Sequence, residues 1–134
     1  IMPPAIYVGK TDNSGNGTYF SSFGQDYLVF DCYKEIELVS VKVYAQNEGI
    51  RSIYLLDAYD NIIDSKDINI LQGESRINLN FQLPVGNNLK LAGAPGAGLY
   101  RNSSGVNFPY TVTGVLSITS GSDIYNPTKY YFYF

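Results

Sequence analysis

The chain has no tryptophan, no histidine, one cysteine and one methionine in 134 residues. Each absence removes a class of chemistry. Without histidine there is no Ser-His-Asp triad and no imidazole ligand for a metal. A single cysteine, Cys32, cannot close an internal disulfide, so the fold does not rest on one. Flanked by Phe30-Asp31 and Tyr33, with no imidazole to activate it, Cys32 reads as a small buried hydrophobe. Charge is sparse as well: 9 basic against 12 acidic residues give a net charge of -3. No cluster of Lys or Arg tracks along the chain, so no nucleic-acid partner is expected. No apolar run reaches the roughly 18 residues of a spanning helix, so no membrane insertion is expected.

What is abundant points one way. The chain carries 13 Tyr, 7 Phe, 13 Gly and 6 Pro. Aromatic and β-branched residues favour strands, and Gly and Pro punctuate turns. No segment keeps a helical period over ten residues. Apolar alternation recurs instead, with turn signals between. Residues 5–10 (AIYVGK) predict a first strand, and 27–30 (YLVF) another. Residues 37–45 alternate, with Val39, Val41, Val43 and Ala45 on one face and Ser40, Lys42 and Tyr44 on the other. Further strands are expected at 51–58, 62–70, 89–91, 110–112, 115–119 and 130–134. The clearest alternation is at 76–83, where Ile77, Leu79, Phe81 and Leu83 face in and Arg76, Asn78, Asn80 and Gln82 face out. The fold class expected is all-β: a jelly-roll-like antiparallel β-sandwich of eight to nine strands, forming one domain over residues 1–134.

The chain ends on five aromatic residues, Tyr130 to Phe134. On a strand, Tyr130, Phe132 and Phe134 share one face, and Tyr131 and Tyr133 the other. Phe132 and Phe134 are expected in the core, leaving Tyr131 and Tyr133 as candidates for exposed rings. No turn or polar tail follows Phe134 and Ile1 is not a start residue, so the domain reads as excised from a larger protein.

Three segments carry candidate chemistry. Residues 11–17 (TDNSGNG) form an oxygen-rich, Gly-permissive loop that could hold a structural calcium, with Asp12 and Asn13 as side-chain ligands and Asp31 or Asp123 as a distant partner. It lacks the spaced carboxylates and closing Glu of an EF-hand, and a solvated turn is the simpler explanation. Residues 92–109 form a long irregular stretch, and long loops in small domains are usually functional or disordered. Within it and just beyond, Tyr100, Arg101, Asn102, Asn107 and Tyr110 combine flat rings, amides and a guanidinium. That is the mixture sugar recognition needs: a ring face packs on pyranose C–H groups, and planar forks bond adjacent hydroxyls. The bland reading has the same rings anchoring their own loop. A second candidate is the polar face of the central strands, with Tyr44, Tyr54 and Asn78. Asn16-Gly17-Thr18 and Asn102-Ser103-Ser104 also match the N-glycosylation acceptor pattern. The acidic residues sit mostly in turns, so a paired-carboxylate glycosidase is not expected and the chain is read as non-catalytic.

The order YLVFD (27–31), ELVSVKVYA (37–45), IYLLDAYDNII (53–63), INLNFQLPVG (77–86), LYRNSSGVNFPY (99–110), GVLSIT (114–119) and YYFYF (130–134) resembles a β-sandwich accessory module of secreted multidomain Bacteroidetes proteins. The resemblance covers nearly the whole chain from about residue 5. Such modules lie late in extracellular proteins, including polysaccharide-degrading enzymes, often ahead of a type IX secretion tail. The resemblance implies an extracellular or cell-surface location and carbohydrate-binding-module-like behaviour. The expectation is thus a monomeric module that tethers a parent protein to a polysaccharide. The alternative is a structural or protein-interaction module beside the secretion tail, without a glycan ligand.

Overall fold

The structure, a computed structural model, describes residues 5–20 and 25–132. Eleven strands occur among them: β1 (Gly17–Phe20), β2 (Tyr27–Cys32), β3 (Ile36–Ala45), β4 (Gly49–Leu56), β5 (Ile62–Ile70), β6 (Gly73–Leu83), β7 (Gly86–Gly93), β8 (Leu99–Asn102), β9 (Tyr110–Val112), β10 (Leu116–Gly121) and β11 (Tyr131–Phe132). They form two antiparallel sheets. One runs β1-β8-β3-β6, with β11 also paired to β8; the other runs β5-β4-β7-β2-β10-β9. The chain changes sheet at every step except the β4–β5 and β9–β10 hairpins. This is the expected all-β sandwich.

The sandwich follows from burial of alternate side chains. On β6, Ile77, Leu79, Phe81 and Leu83 are buried and the residues between them are exposed, as the alternation requires. From the facing sheet, Leu28, Phe30 and Cys32 of β2, Ile53 and Leu55 of β4 and Leu89 and Leu91 of β7 meet them. Each such side chain contributes about 1.5–3 kcal/mol on burial. Cys32 belongs to this layer, and its Sγ donates to the Lys34 carbonyl at 3.1 Å.

The structure departs from the sequence reading at several elements. On β3 the register shifts between Leu38 and Ser40. Between those pairs β3 advances two residues and β6 three, so the extra residue lies on β6. β3 changes phase there: Leu38 packs inward with Val41 and Val43, and Val39 is 50% exposed. At the bulge, Asn80 takes a positive φ of 52°. Two short strands, β1 and β8, lie inside segments read as loops. Residues 5–10, expected as a strand, pair with nothing among the described residues. Gly9 interrupts the extended path with φ 100°, and a Cβ there would sit 2.1 Å from the Tyr131 hydroxyl. Tyr131, expected as an exposed ring, is buried: its phenol meets Phe108 at 5.9 Å and Tyr110 at 5.4 Å between ring centroids. Phe108 comes from the β8–β9 connection and Tyr110 opens β9, so a segment far away in sequence covers the face that alternation leaves open. Burial pushes the Tyr131 hydroxyl well above the ordinary tyrosine range. Phe132 is in the core as expected; Tyr133 and Phe134 lie outside the described residues.

Candidate functional site

The 99–110 segment is a packing cluster. Its backbone enters through β8, where inward and outward positions alternate. Leu99 faces in and Tyr100 faces out, onto Tyr44, with centroids 6.1 Å apart, and Tyr19, at 5.4 Å. Tyr44 itself is 6% exposed, so its ring offers no stacking face. Its hydroxyl is pushed up to about 12, first by burial and then by the Glu74 carboxylate beside it. Arg101 lies between two rings, its guanidinium carbon 3.6 Å from the Phe20 centroid and 3.9 Å from that of Tyr130. Both faces of the fork are therefore occupied by the protein's own aromatics. Asn107 is exposed, and its backbone N–H donates to the Tyr110 hydroxyl at 2.9 Å. Tyr110 in turn packs edge-on against Phe108 at 5.5 Å.

Asn102 has a defined structural duty. It is fully buried, and its Nδ2 donates to the carbonyls of Asn13, Ser14 and Asn16 at 3.1, 3.2 and 3.1 Å. The same loop is clasped from outside. Ser103 N–H donates to the Asn16 carbonyl at 2.8 Å, and Lys10 Nζ reaches the carbonyls of Ser14 and Gly105. Three backbone carbonyls of the 11–17 loop, those of Asn13, Ser14 and Asn16, are thus engaged by N–H donors. Asp12 accepts from the Ser14 N–H at 3.0 Å, and the Ser14 hydroxyl first, with this N–H second, holds its carboxyl below the usual range. Asp31 and Asp123 cap other turns, accepting from Asn88 and from Tyr125 and Asn126 respectively. Among the described residues no three or more carboxylate or thiol groups gather as metal ligands.

The second expected surface is divided between two faces. Tyr44 and Asn78 stand on β3 and β6 in the five-stranded sheet, whereas Tyr54 stands on β4 in the other. Sequence proximity suggested one polar face because β3 and β4 are consecutive, yet the chain crosses the core between them.

Tyr54 belongs to a different row. On the outer face of the six-stranded sheet, Tyr54 of β4 and Tyr27 of β2 each pair with Ala92 of β7, and Ser65 of β5 extends the row beyond Tyr54. Two strand spacings separate the tyrosines, about 9.6 Å. Ala92 is fully buried although it points away from the core, and both tyrosines are half-buried. The two rings flank a flat, low floor. Polar groups border it: Ser52 Oγ donates to Asp67 at 2.5 Å, and Lys90, paired with Asp60, lies 4.8 Å from the Tyr27 centroid. Sequence reasoning missed Tyr27, which it used only to start a strand. The signal was its outward phase relative to Leu28 and Phe30.

A cavity of about 270 Å³ lies between the sheets on the open side of β3. Leu28, Phe30, Leu91, Leu116, Ile118 and Phe132 line its floor, and residues 6–11 cross its mouth together with Lys42 and Arg76.

No protein-family model, curated protein or solved structure matches this chain. Its own geometry therefore carries the functional argument.

Proposed function

We propose that this chain is a non-catalytic carbohydrate-binding module that tethers a secreted or surface protein to a polysaccharide. The observation that carries this reading is the Tyr27–Ala92–Tyr54 row. Two phenol rings two strands apart, with the Ala92 methyl between them in the row and the Lys90 ammonium against Tyr27, suit the span of a disaccharide laid flat on the sheet. Each ring packs against sugar C–H groups, and the hydroxyls at the border take hydrogen bonds from the sugar. A surface of this kind binds without altering its ligand. The resemblance to accessory modules of extracellular proteins supports the same reading and the extracellular location.

The test is affinity electrophoresis through gels containing neutral, uronic or sulfated polysaccharide. The unaltered protein is expected to be retarded by one of these classes. Tyr27→Ala and Tyr54→Ala are each expected to weaken retardation about tenfold, the loss of roughly 1.4 kcal/mol. Tyr100→Ala is expected to leave it unchanged if the variant keeps its melting temperature. Retardation by no polysaccharide rejects the proposal. Repeating the melt in chelator decides the calcium reading, since an unchanged melting temperature removes it.

The alternative, a protein-interaction module, is favoured by a different observation: the apolar cavity beside β3.

A further inference from the structure

β3 has ten residues and lies inside its sheet, yet it is paired along one side only. Its nine-position ladder with β6 runs from Ile36 to Ala45. On the other side the single pair is Ala45 with Leu99 of β8. Residues from Leu38 to Lys42 therefore present a free backbone edge among the described residues. Beyond that edge lies β11, which like β3 runs antiparallel to β8. The gap between them opens directly onto the cavity, whose walls include Leu38 and Val41 on one side and Tyr131 and Phe132 on the other.

An unpaired edge is normally covered, charged or bulged. Here residues 6–11 cross the gap without filling it. Ile6 and Tyr7 remain 65% and 73% exposed, and the cavity beneath them stays open. At about 30 Å³ for a water-sized group, the cavity holds roughly nine such groups, or two aliphatic side chains. The mouth carries more bases than acids. Lys10, Lys42 and Arg76 stand around it, with Glu74 3.7 Å from Lys42 and the Asp12 carboxylate in electrostatic reach of both lysines.

We propose that this slot receives an extended strand of a partner polypeptide, apolar at alternate positions and acidic at its end. Three features select that occupant. The N–H and C=O groups that alternate residues between Leu38 and Lys42 turn away from β6 form a template that another backbone matches in register, which neither a lipid nor a glycan does. The cavity sits on one side of the slot, so it takes every second side chain of a strand and leaves the others in solvent. The excess of bases at the mouth complements a carboxylate. The partner's strand completes the sheet and displaces residues 6–8. This inference is independent of the glycan reading, because it uses the opposite sheet.

The test uses two synthetic peptides and the whole chain. One is acetyl-Glu-Ile-Thr-Val-Thr-Ile-Glu-amide; the other has the same composition with its three apolar residues adjacent. The alternating peptide is expected to raise the melting temperature and to slow amide exchange within Leu38 to Lys42 about tenfold, with no such effect from the other. Lys42→Glu is expected to weaken that peptide about tenfold, and a peptide with Lys at both ends to regain binding to this variant. Equal effects from both peptides, or none from either, overturn the proposal. So does binding of 1-anilinonaphthalene-8-sulfonate in the cavity without binding of the alternating peptide. Full exchange protection of Leu38 to Lys42 in the free protein, with Ile6 and Val8 in contact with β3, also overturns it, because the chain's own first segment then occupies the slot.

Discussion

At the residue scale, the polar side chains singled out by their chemistry turn out to hold the fold together. Asn102 is the clearest case. Its amide serves three carbonyls in a buried site, and removing it leaves those acceptors without their donor. Asn102→Ala is expected to cost about 2–4 kcal/mol in urea unfolding, and Asn102→Asp more, because a carboxylate would face three carbonyl oxygens. The Asn102-Ser103-Ser104 triplet is closed to glycosylation in the folded protein for the same reason, while Asn16 is exposed. Tyr44 gives the pH counterpart. Its folded-state pKa is raised from 10.0 to about 12, so the folded protein holds the proton that the unfolded chain releases between those values. The stabilisation is complete below about pH 10 and is lost as pH rises towards 12. Melting temperatures measured from pH 9 to 12 should fall across that window, and Tyr44→Phe should flatten the fall. The chemistry of these residue types was legible in the sequence. Their partners were not, because Asn102 meets residues almost ninety positions away.

At the element scale, alternation located most strands and failed where a single residue changes phase. The bulge on β6 shifts the phase of β3 and leaves Val39 out of the core, and only the pairing of the two strands reveals it. The strands β1 and β8 were invisible because each has four residues in a Gly- and Ser-rich segment, too short for a period to register. β5 is an edge strand, and its sequence shows how that edge is kept safe. Ile62 and Ile63 are exposed at its start, and the polar run Asp64-Ser65-Lys66-Asp67 follows them, two of its four residues acidic. Replacing both acids, Asp64→Val with Asp67→Val, is expected to produce concentration-dependent association by light scattering. Monomeric behaviour of the double variant would show that the twist of the edge protects it instead.

At the scale of the whole molecule, the consequential feature is the cavity between the sheets. Interiors normally pack at the density of organic crystals, and a void of about 270 Å³ in so small a domain is large. This space is open at its mouth, so water already reaches it and it adds little to the void volume lost on unfolding. The volume change under pressure, read by tyrosine fluorescence, is expected to stay within the usual range of about -20 to -100 mL/mol.

The sequence by itself determined the class of fold. Strand-favouring residues, period-two alternation and frequent turn residues admit two packed antiparallel sheets and little else. It also determined what chemistry is missing, since no arrangement of this chain can supply an imidazole. Tertiary structure alone decided which faces meet which neighbours. Eight of the ten connections between strands cross from one sheet to the other, so consecutive segments separate and distant ones meet. That crossing put Tyr44 and Tyr54 on opposite sheets, brought Tyr27 into line with Tyr54, and buried Tyr131 beneath Phe108. Periodicity describes one strand at a time, whereas a binding surface is a property of the strands beside it.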